Sequence, residues 1–269
     1  MYDSLIDSLL DTLKIIPFLF VSYLIMELLE HKIDSPKILK KFNKFGPFIG
    51  SILGIIPQCG FSLLGSNLYA VRVISLGTLF SIYLSTSDEM LPILIANNSE
   101  TNLIFKILFI KFAVGFLFGL LVDLIIRKKE NNIHELCTHD NCHCEESIFK
   151  SSIIHTLKIS LYLFIITFIL NMIDISSMAN SLLTSNKMLS PIIFSILGLI
   201  PNCATSVVIT ELYLNKVILF GTCISGLLSA SGLGILVLFK ENKNLKENIL
   251  ILLTLISISM IVGIIINYI

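Results

Sequence analysis

Between residues 134 and 144 the chain reads His134-Glu135-Leu136-Cys137-Thr138-His139-Asp140-Asn141-Cys142-His143-Cys144, followed by Glu145 and Glu146. Six soft or borderline ligands in eleven residues exceed what a polar linker holds by chance. Imidazole and thiolate suit zinc, copper, nickel or iron, and thiolate alone suits trivalent arsenic. The spacing fits no closed zinc finger, whose ligand pairs stand about a dozen or more residues apart. His134, Cys137, His139, Cys142, His143 and Cys144 therefore read as a loosely structured loop that captures or senses metal.

Three further groups lie inside apolar sequence. Pro57-Gln58-Cys59-Gly60 and Pro201-Asn202-Cys203-Ala204 each set an amide and a thiol beside backbone that proline frees from helical bonding. Thiolates there could hold a soft ion, or amides and carbonyls could replace a hydration shell. The plainer alternative is that cysteine packs as a small hydrophobe and the amide caps a half-helix. Ser85-Thr86-Ser87-Asp88-Glu89 adds hydroxyls and carboxylates suited to a hard divalent cation. Two adjacent acids at a bilayer centre cost on the order of 3 kcal/mol each and mark an ion path or proton relay. If the span ends early, both acids lie at the outer surface instead. Ser229 and Ser231 belong to a run of small residues from Ser225 to Gly234 that suits close helix approach, with ligand contact as the sharper reading.

The elements that must position these groups are membrane helices. The chain is 55% hydrophobic and 14% charged, with a mean hydropathy of +0.89, against about 25% charged residues in soluble domains. Apolar runs cover 12–30, 46–71, 73–96, 103–126, 152–173, 190–215, 217–239 and 248–269, and roughly 20 apolar residues span the hydrocarbon. Lys and Arg balance Asp and Glu at 19 each, so no basic face is offered to nucleic acid. The first apolar run follows Asp3, Asp7 and Asp11 rather than a basic leader and reads as a retained span. Three of the six cysteines share one loop with histidine and the rest lie in apolar segments, which is no disulfide framework.

The sequence repeats itself at an offset of 144 residues, Pro47 against Pro191, without a gap. PFIGSILGIIPQCG (47–60) faces PIIFSILGLIPNCA (191–204) with nine of fourteen residues identical. The lysine bias reverses between halves. The loop at 31–45 holds Lys32, Lys37, Lys40, Lys41 and Lys44, against Lys187 alone at 175–189, whereas 96–103 has none and 240–247 has Lys240, Lys243 and Lys246. Basic loops stay cytoplasmic, so the two repeats are expected in opposite orientations. Inversion requires an odd number of crossings per half, and 46–71 and 190–215, each cut by a proline turn, are the segments expected to re-enter as hairpins. Such backbone survives at membrane depth only where it is buried or lines a cavity, as at secondary-transporter sites.

The expected fold is thus an all-α integral membrane protein of two inverted repeats, each with three transmembrane helices and one re-entrant hairpin, about ten helical segments in total. The divisions are a first repeat over 1–126, a His/Cys-rich linker over 127–150 placed in the cytoplasm by Arg127, Lys128 and Lys129, and a second repeat over 151–269. Both termini then lie outside. The partners implied are the bilayer and a metal or metalloid ion; self-association is left open. No nucleotide-binding glycine loop, HExxH or GxSxG occurs, which points to ion gradients rather than catalysis, with no cofactor beyond a metal ion as substrate or loop ligand.

The blocks GIIPQCGFSLLGSNLYA, LFSIYLSTSDEMLPILIA, GLIPNCATSVVITELYL and CISGLLSASGLGILVLFK resemble the bacterial family of manganese transporters, also described as arsenic efflux proteins or ten-segment heavy-metal exporters. The likeness covers nearly the whole chain and implies five segments per half and a place in the bacterial cytoplasmic membrane. Manganese would favour the oxygens of Ser85, Asp88 and Glu89, arsenite the thiols of Cys59 and Cys203. The readings that follow are an exporter of such an ion, a transporter of an organic solute or anion with a regulatory metal loop, and a membrane metal sensor that moves nothing.

Overall fold

The structure is a computed structural model that describes residues 36–56, 60–87, 90–97, 99–126 and 187–269, with isolated helical positions within 9–24 and 153–168. Every element delimited among the described residues is an α-helix. In chain order they are α1 (Pro36–Ile55), α2 (Gly60–Ala70), α3 (Leu76–Ser85), α4 (Met90–Ala96) and α5 (Thr101–Ile126), then α6 (Leu189–Leu197), α7 (Cys203–Leu214), α8 (Phe220–Ser229), α9 (Gly234–Glu241) and α10 (Leu245–Tyr268).

Two expectations need correction. The lysine-rich stretch at 31–45 is not all loop, because α1 already begins at Pro36, a residue suited to a first helical position where its missing N–H costs nothing. The spans expected over 73–96 and 217–239 are each interrupted, α3 giving way to α4 and α8 to α9. The reason is local. Pro92, in the first turn of α4, has no N–H with which to continue the ladder of α3, and the Ser85 and Thr86 hydroxyls bond back to Ser81 O (2.5 Å) and Ile82 O (2.7 Å) in the last turn before the break. In the second half Gly232 turns the chain at φ 59°, a left-handed conformation that glycine adopts without strain.

The 144-residue repeat recurs in backbone detail. Arg72 and Lys216 both take positive φ (60° and 59°). Each closes its helix in a Schellman motif, with Val73 N–H on Leu68 O (2.8 Å) and Val217 N–H on Leu212 O (2.9 Å). A Cβ on Gly77 would overlap the Gly119 carbonyl, and one on Gly221 the Gly263 carbonyl. These glycines bring α3 against α5 and α8 against α10 at backbone contact. Asp123 accepts from Gly77 N–H (2.9 Å) at the start of α3, and Asn267 occupies the matching place at α8, donating to Thr222 Oγ1 (3.2 Å).

The broken helices are central and the long ones peripheral. In their most apolar stretches 89% of the residues of Phe220–Glu241 are buried, against 22% of Thr101–Ile125 and 28% of Leu245–Tyr268. Phe105, Phe109 and Ile125 on α5 and Leu250 and Leu253 on α10 are exposed, an apolar surface suited to lipid. Four stretches among the described residues are long and apolar enough to cross a bilayer, namely 76–96, 101–125, 220–241 and 245–268. The apolar helices Phe45–Ile55 and Thr205–Leu214 are shorter.

Contact between halves follows one pattern used twice: α2 packs on α9, α7 packs on α4, and α3 meets α8. Ser66 Oγ on α2 lies 2.7 Å from both the Gly234 carbonyl and the Tyr83 hydroxyl, joining α2, α9 and α3. Farther along α2, Arg72 grips Glu247 bidentately (2.6 and 2.7 Å) and the Tyr69 hydroxyl donates to the same carboxylate. That hydrogen bonding raises the Arg72 pKa, so the clasp keeps its cation at any ordinary pH. At the matching position of the other half stands Lys216, with Leu103 where Glu247 would be.

Gly119→Leu and Gly263→Leu should each prise a long helix from its broken neighbour. Overpacking of this kind costs about 1–3 kcal/mol, and melting of the purified protein in detergent should fall by roughly 5 °C. Unchanged midpoints for both variants would contradict the backbone contact.

Candidate functional site

The helix breaks that begin at 86 and 230 lie at matching positions of the repeat, and the described residues in them, 86–87 and 230–233, are buried. Ser85, Thr86 and Ser87 are closed off from solvent, as are Ser229 and Ser231. Ser87 Oγ donates to Ile55 O (2.6 Å), the last residue of α1. This ties the first break to the helix end just ahead of Pro57-Gln58-Cys59-Gly60. Gly54 makes the approach possible, since a Cβ there would run into Ser85 Oγ; Gly198 stands in the same relation to Ser229 Oγ and the Gly226 carbonyl.

The start of α2 also reaches the other half. A Cβ on Gly234, the residue that restarts the helix after the second break, would lie 2.9 Å from the Ser62 carbonyl in the first turn of α2. The ends of α1 and α2 that flank Pro57-Gln58-Cys59 in the sequence thus touch different breaks. Between α6 and α7 Asn202 is buried in a tight turn, its N–H on Ile200 O (2.7 Å) and its carbonyl accepting from Thr205 N–H (3.1 Å). Cys203 opens α7.

Of the residues expected to act, Ser85, Thr86, Ser87, Asn202, Ser229 and Ser231 are thus placed at or beside the breaks. Gln58, Cys59, Asp88, Glu89 and the whole ligand-rich loop, His134, Cys137, His139, Cys142, His143 and Cys144, lie outside the described residues, as does the Cys203 side chain. Among the described residues no three His, Cys, Asp or Glu side chains gather to hold a metal. What the described part supplies is oxygen: hydroxyls, an amide and carbonyls at the C-terminal ends of α3 and α8, whose partial negative charge favours cations.

The matching serines are not equivalent. Ser87 has its carbonyl partner, whereas Ser231 Oγ is buried with none. A buried hydroxyl without a partner costs about 1–3 kcal/mol, and one retained at a helix break is suited to a ligand that completes it.

Sequence reasoning passed over Lys111, which is buried within α5 and donates to the Leu227 carbonyl on α8. The signal was present: a lysine near the middle of an apolar run is costly and marks function by default. It also passed over the Arg72–Glu247 clasp, because the two residues are 175 positions apart and only the packing of the halves unites them.

A family model described as "Putative, 10TM heavy-metal exporter" matches residues 2–179 and 157–269 of the chain. No curated protein and no solved structure matches it.

The contrast between the serines is measurable without substrate. Ser231→Ala removes an unpaired hydroxyl and should leave the melting midpoint unchanged or raise it by a few degrees, whereas Ser87→Ala strands the Ile55 carbonyl and should lower it by a similar amount. The reverse order would show the pairing to be wrong.

Proposed function

The chain belongs to the 10TM heavy-metal exporter family, and from that premise we propose that it is a secondary transporter that binds its ion where the two helix breaks meet the two hairpin tips. The carrying observation is the pair of buried breaks at 86–87 and 230–233, abutted through a glycine by α1 at Gly54 and by the end of α6 at Gly198. Discontinuous helices at the centre of a membrane protein expose backbone oxygens where an ion can shed its hydration shell.

Inversion of the halves is part of this proposal. Its structural support is the course of α2 beside α9. Ser62 and Ser66 sit at Gly234, and Tyr69 and Arg72 reach Glu247. The two helices thus run the same way, α3 starts on the face where α9 ends, and the two broken spans run oppositely. The reversed lysine bias agrees, and with it the linker and its His/Cys cluster lie in the cytoplasm of a bacterial inner membrane, where the loop would collect the ion to be exported.

For the substrate, Ser85, Thr86, Ser87, Asp88, Glu89, Ser229 and Ser231 form an oxygen-rich set that suits a divalent cation of the manganese class. Gln58 and Asn202 add amide oxygens from the tips. Cys59 and Cys203 would instead serve a soft ion such as arsenite.

Proteoliposomes holding the full chain should take up Mn²⁺ down an imposed ion gradient. Asp88→Asn and Glu89→Gln should each cut the rate at least about tenfold, by the cost of one lost charge contact. Cys59→Ser with Cys203→Ser should spare Mn²⁺ and abolish arsenite flux. No flux with manganese, zinc, cobalt, nickel or arsenite would refute the proposal.

A further inference from the structure

Lys111 is the one charged side chain that is fully buried among the described residues, at 1% exposure. It lies ten positions into α5, about 15 Å along the helix axis and so close to the middle of a bilayer about 30 Å thick. Its ammonium does not escape toward an interface. It crosses from the first half to the second and donates to the Leu227 carbonyl of α8.

That carbonyl is available because of the break. In a continuing helix Leu227 O would accept from Ser231 N–H, four residues on. Ser231 N–H bonds Ser229 O instead (2.8 Å), and the cap N–H of Ala230 goes to Gly226 O (3.0 Å). Lys111 therefore takes the place of the missing turn, at a helix end that carries about half a negative charge. In transporters built on discontinuous helices, such C-terminal half-helix ends are where a coupling cation is coordinated.

The repeat supplies an internal control. The first-half counterpart of Leu227 is Tyr83, whose carbonyl accepts from Thr86 N–H (3.4 Å), and the counterpart of Lys111 is Leu255, which is buried in α10. Among the described residues a tethered cation is present at one break alone. By sequence that break carries Gly232 and Leu233 where the other carries Asp88 and Glu89. Around Lys111, α8 presents the Cys223 thiol, on which the ammonium acts electrostatically. From Leu76 to Ser85 α3 holds no charged residue, and its one titratable group, the Tyr83 hydroxyl, is engaged with Ser66. Between Phe45 and Ile55 α1 holds none either.

We propose that the Lys111 ammonium is a built-in substitute for an alkali-metal ion at the C-terminal end of α8, so that the chain neither binds Na⁺ or K⁺ there nor draws on their gradients. The consequence for coupling rests on the transporter reading above; the statement about cation binding does not.

The test uses the purified full-length chain in detergent and in proteoliposomes. Wild-type protein should melt at the same temperature in NaCl, KCl and choline chloride of equal ionic strength. Lys111→Ala should melt roughly 5 °C lower in choline and regain at least about half of that in 100 mM methylammonium or NaCl, as a vacated cation site with a dissociation constant in the tens of millimolar would. Lys111→Arg should respond to none of them. A wild-type midpoint that rises with Na⁺ or K⁺ over choline overturns the proposal, and that arm stands even if Lys111→Ala does not fold. So does a Lys111→Ala that melts as wild type, or whose loss no small cation repairs. Mn²⁺ uptake measured on the same preparations tests transport separately: absent uptake with the melting pattern intact refutes the transporter reading and upholds the tethered cation, whereas wild-type uptake that requires Na⁺ or K⁺ refutes the tethered cation.

Discussion

A carbonyl released where a helix breaks inside a membrane has no water to turn to, and the centre of this molecule is arranged around that constraint. Each break is closed by whatever donor lies nearest. Ser87 bonds forward to the Ile55 carbonyl at the end of α1, and Lys111 crosses between halves to Leu227. Once those donors are fixed, the rest of the packing has little freedom. The hairpin arm must touch the break it serves, which Gly54 and Gly198 permit, and the long outer helix must lie against the broken one, which Gly77 with Gly119 and Gly221 with Gly263 permit.

Duplication explains why the same devices appear twice, and divergence is where function is concentrated. Scaffold positions have kept their type: two Schellman turns, two glycine pairs, Asp123 matched by Asn267. Positions at the breaks have not. Acids face glycine and leucine across the repeat, lysine faces leucine, and a bonded serine faces an unbonded one. A site made of two equal halves would bind an ion symmetrically. On the proposals above, the chemical asymmetry gives one break to a cation from outside the chain and the other to the Lys111 ammonium.

Much of this was legible in residues. The offset of the repeat, the hydropathy, the glycine at 77 with its partner at 221 and the proline turns all follow from pattern, and the family match agrees with the exporter reading. The break in 217–239 was not legible, because no proline stands there, whereas in 73–96 Pro92, which cannot continue a helical hydrogen-bond ladder, was a signal left unused. Serine and threonine within an apolar run fit a continuous helix as well as a broken one, and the choice turns on which carbonyl each hydroxyl finds. Lys111 could have been flagged by its burial cost, but its partner could not be named before α5 and α8 were seen together. The extension of α1 back to Pro36 was hidden by the lysines, whose charge reads as loop although lysine is a good helix former.

The central claim is that the two hairpin tips share one site. Spin labels on Cys59 and Cys203, with Cys137, Cys142, Cys144 and Cys223 replaced, give their separation by pulsed dipolar spectroscopy on the full chain in nanodiscs. The tips are expected within about 15 Å of each other, half the hydrocarbon thickness. A distance distribution centred well beyond that would contradict the shared site and the account built on it.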